Sequence, residues 1–202
     1  VERPWVLYVP ENYDPGRPTP LMVFLHGGVM QPEVSPDPIG DLTGGETEDP
    51  YITIPRELGM LAIYPQGDEH ATWWDEVGMA NIDALVRAVK REFNVDDDRV
   101  YMLGYSDGAS GCFTWAMVKP TAFAAVFPLS GHMGVGSLDG DLDLYAPNMA
   151  NLPVYAVTSF EDQLYPSEQM RPMIQLALGA GADITYREAE GPHNFSYAEA
   201  EL

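Results

Sequence analysis

The sequence predicts an α/β fold: a mainly parallel sheet with helices on both faces. Three observations predict it. Short apolar runs alternate with helical patterns along the whole chain, with no internal repeat and no linker. The run at 21–25 (LMVFL) is continuously apolar, as a strand buried on both faces is. And His26, Ser106, Asp162 and His193 each fall just after a predicted strand, where open α/β sheets gather their sites.

The elements follow in order. Residues 5–9 (WVLYV) predict the first strand, and 10–20, rich in Pro, Gly and Asn, a turn region. After strand 21–25 comes His26-Gly27-Gly28, then a long loop at 29–50. Its acids Asp37, Asp41, Glu46, Glu48 and Asp49 lack the spacing of a calcium loop and read as a solvated acidic loop. A short helix is expected at 51–58, a strand at 61–64, and a loop at 65–75 carrying His70, Trp73 and Trp74. Ile82, Leu85, Val86, Val89 and Phe93 mark an amphipathic helix over 78–93. Strands follow at 100–103, 124–129, 154–160 and 184–188. An irregular segment is expected at 134–151. Met170, Met173, Ile174, Ala177 and Leu178 mark the last helix, with Pro172 expected near its start, where proline is best tolerated.

At 202 residues and 46% hydrophobic, the chain suits a single domain over 1–202 with a full core. A net charge of −21 repels phosphate backbones, which argues against a nucleic-acid partner. No apolar run reaches the length of a membrane span. The chain begins at Val1 with no signal-peptide pattern, and the expectation leans to a secreted protein whose leader has been removed. Cys112 is the only cysteine; on the apolar face of a helix it reads as a buried structural thiol.

The stretch 99–117, RVYMLGYSDGASGCFTWAM, is the most informative. A strand leads into Gly104-Tyr105-Ser106-Asp107-Gly108, and apolar residues at Ala109, Cys112, Phe113, Ala116 and Met117 continue as a helix. Strand, sharp turn and helix with Ser106 at the apex is the arrangement that holds a serine hydroxyl clear of the backbone. The flanking glycines let neighbouring backbone approach, and the N–H of Asp107 is placed to donate to a developing oxyanion. With 19 Gly among 202 residues, the five-residue pattern arises by chance about 0.07 times, so its strand–turn–helix context matters.

A serine nucleophile needs a base, and the base an orienting carboxylate. Asp162 follows one strand and His193 the next, and the order Ser106, Asp162, His193 is that of α/β-hydrolases. Glu161 is the alternative acid. His26 reads as a hydrogen-bonded structural residue, His70 as a solvated one. His132, after Ser130-Gly131, is placed to line the pocket. Trp73 and Trp74 are core or rim aromatics that could grip an aromatic or sugar group.

The chain resembles an α/β-hydrolase of the esterase group that includes polyhydroxybutyrate-depolymerase-like, feruloyl and acetylxylan esterases. The resemblance runs over nearly the whole chain, through YVPENYD, LMVFLHGG, MLAIYPQG, RVYMLGYSDGASG, FAAVFPLSG, SFEDQLYP and GPHNF. In the family the acid lies in a Gly-x-x-Asp-x-x-Val-Pro stretch. Here Ser159 stands for that glycine and Tyr165 for the valine, while Asp162 keeps the acid's place. Gly191-Pro192-His193 stands where Gly-Gly-His is common. The resemblance implies that the His-Gly-Gly turn supplies the second oxyanion donor: the N–H of Gly28, with Val29 next. It implies a serine carboxylic-ester hydrolase acting on small or polymer-linked esters, with no cofactor and no metal. A serine peptidase on the same fold and a non-catalytic binding module are the alternatives.

Overall fold

A computed structural model describes residues 3–30, 32, 39–40, 49–140 and 145–193, with backbone alone for 138–140. Most of the loop 29–50, read as a solvated acidic loop, lies outside the described residues. Among the described residues no group of three or more His, Cys, Asp or Glu gathers to hold a metal. No described helix is long and apolar enough to cross a membrane.

The strands are β1 (Trp5–Tyr8), β2 (Thr19–Leu25), β3 (Leu61–Pro65), β4 (Val95–Tyr105), β5 (Ala125–Leu129), β6 (Val154–Ser159) and β7 (Ile184–Ala189). They form one sheet in the order β1-β3-β2-β4-β5-β6-β7. Only β1, on the edge, runs antiparallel to its neighbour; the other pairs are parallel. From β2 the chain moves outward to β3, then returns across β2 to β4 and winds the other way. That switch point, between β2 and β4, is where an open α/β sheet forms its crevice.

Strand alternation sorts the core into two sides. Leu21, Val23 and Leu25 face one side with Val100, Met102, Val126 and Ala156; Met22 and Phe24 face the other with Leu103, Leu129 and Val157. Helices α2 (Glu76–Glu92), α3 (Asp107–Val118) and α5 (Ser167–Gly179) pack on the first side, through Ile82, Leu85 and Val89, through Phe113, Trp115 and Ala116, and through Met170 and Ile174. Helix α1 (Pro50–Leu58) packs on the second through Tyr51. The helices thus lie on both faces, as the sequence predicts.

Helix α2 starts two residues earlier than the hydrophobic pattern suggests, because Asp75 caps it: its carboxylate accepts the N–H of Gly78 at 2.7 Å, an interaction worth about 1 kcal/mol. Two expectations need correction. The segment 134–151 is not wholly irregular: it holds a short helix, α4 (Val135–Gly140), and a 3₁₀ turn (Ala146–Asn151). Pro172 is inside α5 rather than near its start, because the helix begins directly after Pro166. Cys112 is fully buried, and burial pushes its thiol well above the usual range.

Candidate active site

The site assembles where four strand ends meet. At the end of β4, Ser106 has φ 58° and ψ −122°, a strained pair for a residue with a side chain. The turn tolerates no bulk on either side. A Cβ on Gly104 would stand 2.2 Å from the Gly108 carbonyl, and one on Gly108 would stand 2.0 Å from the Leu25 carbonyl oxygen. The Gly-x-Ser-x-Gly spacing is therefore a packing requirement, within the turn at Gly104 and between the turn and the end of β2 at Gly108. Ser106 is nine-tenths buried at the N-terminus of α3.

Loops after β6 and β7 bring the other two groups to it. His193 Nε2 lies 3.0 Å from Ser106 Oγ, and His193 Nδ1 lies 2.7 Å from Asp162 Oδ2. A carboxylate can only accept, so Nδ1 donates to Asp162 and Nε2 is left to accept the serine hydroxyl proton. The imidazole sits beside the rings of Tyr105 and Tyr165, at centroid distances of 5.0 and 5.7 Å. Asp162, only 2% exposed, also accepts the backbone N–H groups of Leu164 and Tyr165 at Oδ1, at 2.9 and 2.8 Å. Burial pushes the Asp162 carboxyl up, but the Tyr165 N–H, His193 and the Leu164 N–H outweigh it and hold it below the usual carboxylate range. Glu161 is exposed and is not the residue that meets His193.

Ser159, which departs from the family's glycine, joins the two loops. Its hydroxyl donates to the Gly191 carbonyl and accepts the N–H of Glu161. A serine thus helps to hold the segment that carries His193 against the segment that carries Asp162.

The turn after β2 is anchored from behind. His26 Nε2 accepts the N–H of Gly67 at 3.0 Å, which leaves Nδ1 to donate to the Gly27 carbonyl at 2.6 Å. Both ring nitrogens are occupied, so His26 is structural, as its position suggests. The Trp73 indole N–H donates to the His26 carbonyl at 2.8 Å. Gly28 follows with φ +70°, a conformation that suits glycine. Among the described residues, neither the N–H of Gly28 nor that of Asp107 has a hydrogen-bond partner. The N–H of Val29 does: it donates to Asp107 Oδ2 at 3.0 Å.

The other pocket candidates are placed as follows. Val29 is fully buried, and its N–H is engaged by Asp107. Trp73 and Trp74 are 0% and 4% exposed and belong to the core, one of the two readings their sequence offers, and Trp73 fixes the turn through its indole N–H. His132 stands outside the hydrogen-bonded chain. Its Nδ1 accepts the N–H of Gly134, its ring lies 6.4 Å from that of Tyr165, and burial holds its imidazole below the usual histidine range. His70 is solvated, its side chain 78% exposed.

Two features escape sequence reasoning. The carboxylate of Asp107 accepts the Tyr165 hydroxyl at Oδ1, at 2.6 Å, besides the Val29 N–H. Burial, and then the Asp107 carboxylate, push the Tyr165 phenol well above its usual range, so it stays a donor. The signal was present in part: Tyr165 is a polar-tipped residue where the family stretch has valine. What it reaches, 58 residues away in the chain, was not.

No protein-family model matches the chain. Feruloyl esterase C of Emericella nidulans is 30% identical over 145 residues, covering 70% of this chain and 50% of that protein. A bifunctional acetylxylan esterase/xylanase of Neocallimastix patriciarum is 28% identical over 130 residues, covering 62% of this chain and 17% of that protein. The chain thus spans half or less of the length of these relatives. Among solved structures, the fluorophosphonate-binding serine hydrolase F of Staphylococcus aureus superposes with a TM-score of 0.75 at 15% identity, covering 98% of this chain and 88% of that one. The parallel sheet, its switch point and these likenesses place the chain in the α/β-hydrolase fold, with homologues named feruloyl esterase and acetylxylan esterase.

Proposed function

We propose that the protein is a serine carboxylic-ester hydrolase working through an acyl-enzyme on Ser106. The observation that carries this reading is the continuous hydrogen-bonded chain from Asp162 through His193 to Ser106 Oγ at a helix N-terminus. His193 Nε2 takes the Ser106 proton as Oγ attacks the ester carbon, and later returns it to the leaving alkoxide. Asp162 holds the imidazole in the right tautomer and stabilises its charged form. The N–H groups of Gly28 and Asp107 receive the oxyanion. Water, activated by the same histidine, then releases the acid. Every step uses groups of this chain.

The relatives' names favour feruloyl or acetyl esters, small or polymer-linked, as substrates.

Intact mass after exposure to a fluorophosphonate, on wild type and Ser106→Ala side by side, tests the assignment. One adduct on wild type alone is expected, with ester turnover falling about 10⁴-fold or more in the variant while it stays folded. An active or labelled Ser106→Ala protein refutes it. A panel of acetyl, feruloyl and longer-chain esters beside a matched peptide amide then separates esterase from peptidase.

A further inference from the structure

We infer that the side chain of Asp107, braced by Tyr165, positions the oxyanion hole: it draws the Val29 N–H aside and so leaves the Gly28 N–H as the donor that meets the oxyanion. The inference rests on the reading of Ser106 as the nucleophile.

A buried carboxylate beside a developing oxyanion would oppose catalysis unless its charge were committed elsewhere. Asp107 follows Ser106 directly and is nine-tenths buried. Both its oxygens are engaged: Oδ1 by the Tyr165 hydroxyl at 2.6 Å, Oδ2 by the Val29 N–H at 3.0 Å. The second bond ties the Gly28–Val29 peptide to the start of α3. The His26 side of the same turn is tied by Trp73 and Gly67. Held at both ends, the turn has little freedom to re-aim the N–H between them.

Tyr165 carries this restraint across the site. Its hydroxyl braces Asp107, and its own N–H donates to Asp162 Oδ1 at 2.8 Å. A single path of hydrogen bonds therefore runs from the acid, through Tyr165 and Asp107, to the oxyanion turn. Asp107 through its carboxylate, and Tyr165, are positioning residues. Their effect should appear in the transition state, where the oxyanion exists, and not in substrate affinity.

Steady-state kinetics on 4-nitrophenyl acetate, with inhibition by an aryl trifluoromethyl ketone whose hemiketal oxygen occupies the hole, test this on wild type, Asp107→Asn, Tyr165→Phe and the double variant. Asp107→Asn is expected to lower kcat about 10- to 100-fold with KM within about threefold, and Tyr165→Phe about three- to tenfold in the same sense. Ketone affinity should fall in step with kcat/KM. The double variant should be no worse than Asp107→Asn, because both changes act through one path. Variants that keep kcat within twofold of wild type, or that change KM alone, overturn the inference while Ser106 still labels. A wild type that neither labels nor turns over overturns the nucleophile reading, and this inference with it. Should Asp107→Asn fail to fold, Tyr165→Phe, which removes a single oxygen, decides alone.

Discussion

At the carboxyl ends of β2 and β4 the site is held by backbone pressed against backbone, with hydrogen bonds securing the turn after β2. At the ends of β6 and β7 it is held by hydrogen bonds between loops. On the first side the Ser106 turn sits so close to Leu25 that only glycine fits at Gly108. On the second, Ser159 bonds Gly191, Asp162 collects two N–H groups and His193, and Tyr165 reaches back to Asp107. Steric contact allows almost no adjustment. Hydrogen-bonded loops can give way and re-form, at a cost of about 0.5–3 kcal/mol for each bond lost. The Ser106 side thus behaves as a rigid anvil, and the side carrying Asp162 and His193 as the part aligned against it.

The contrast can be broken most severely at Gly108. Gly108→Ala puts a methyl group 2.0 Å from the Leu25 carbonyl oxygen, so backbone must move. A loss of more than about 4 kcal/mol is expected, in the class reserved for severe steric conflict. Denaturant unfolding measures it; a variant as stable as wild type would show that the turn is softer than its spacing implies.

Asp162→Asn strikes the other side and should spare the fold while lowering turnover about 10³- to 10⁴-fold, because an amide no longer imposes the useful tautomer of His193. The same substitution has a signature in stability. The Asp162 carboxyl is held below the usual range in the folded protein, so its ionised form adds stability that is complete above about pH 4, the unfolded value, and is lost as pH falls through the folded one. Wild type should therefore lose more stability than Asp162→Asn between about pH 5 and pH 3. Equal slopes would mean that the buried carboxylate is not stabilised by its partners.

Trp73→Phe sharpens the contrast with the smallest change. It removes the indole N–H from the buried His26 carbonyl and leaves some space behind. About 2–3 kcal/mol of stability should be lost, with turnover reduced less than tenfold. Unchanged stability in thermal and denaturant melts would remove Trp73 from the anchoring of the turn.

The particular residues show why some of this was readable in advance. Gly104, Ser106 and Gly108 lie within five positions and act on one another locally, so their spacing carries their geometry. Asp162 and His193 announced themselves by following strands. Tyr165 and Asp107 lie 58 residues apart and meet only because β4 and β6 end at the same edge of the sheet. Val29 looked available as a donor because nothing near it in the chain hinted that a carboxylate from another loop would take its N–H. Trp73 read as a core or a rim aromatic, because a loop position does not reveal whether the side chain turns inward.

The sequence by itself determined the alternation of strands and helices, the Ser106 turn and the chain order of Ser106, Asp162 and His193, because periodicity, glycine spacing and strand ends are local properties. The tertiary structure alone decided the strand order that creates the crevice between β2 and β4, the burial of Trp73 and Trp74, and the capture of the Val29 N–H by Asp107 under the Tyr165 hydroxyl. Those depend on which distant segments share a strand end, and on burial, which makes each polar group find whichever partner the packing brings within reach.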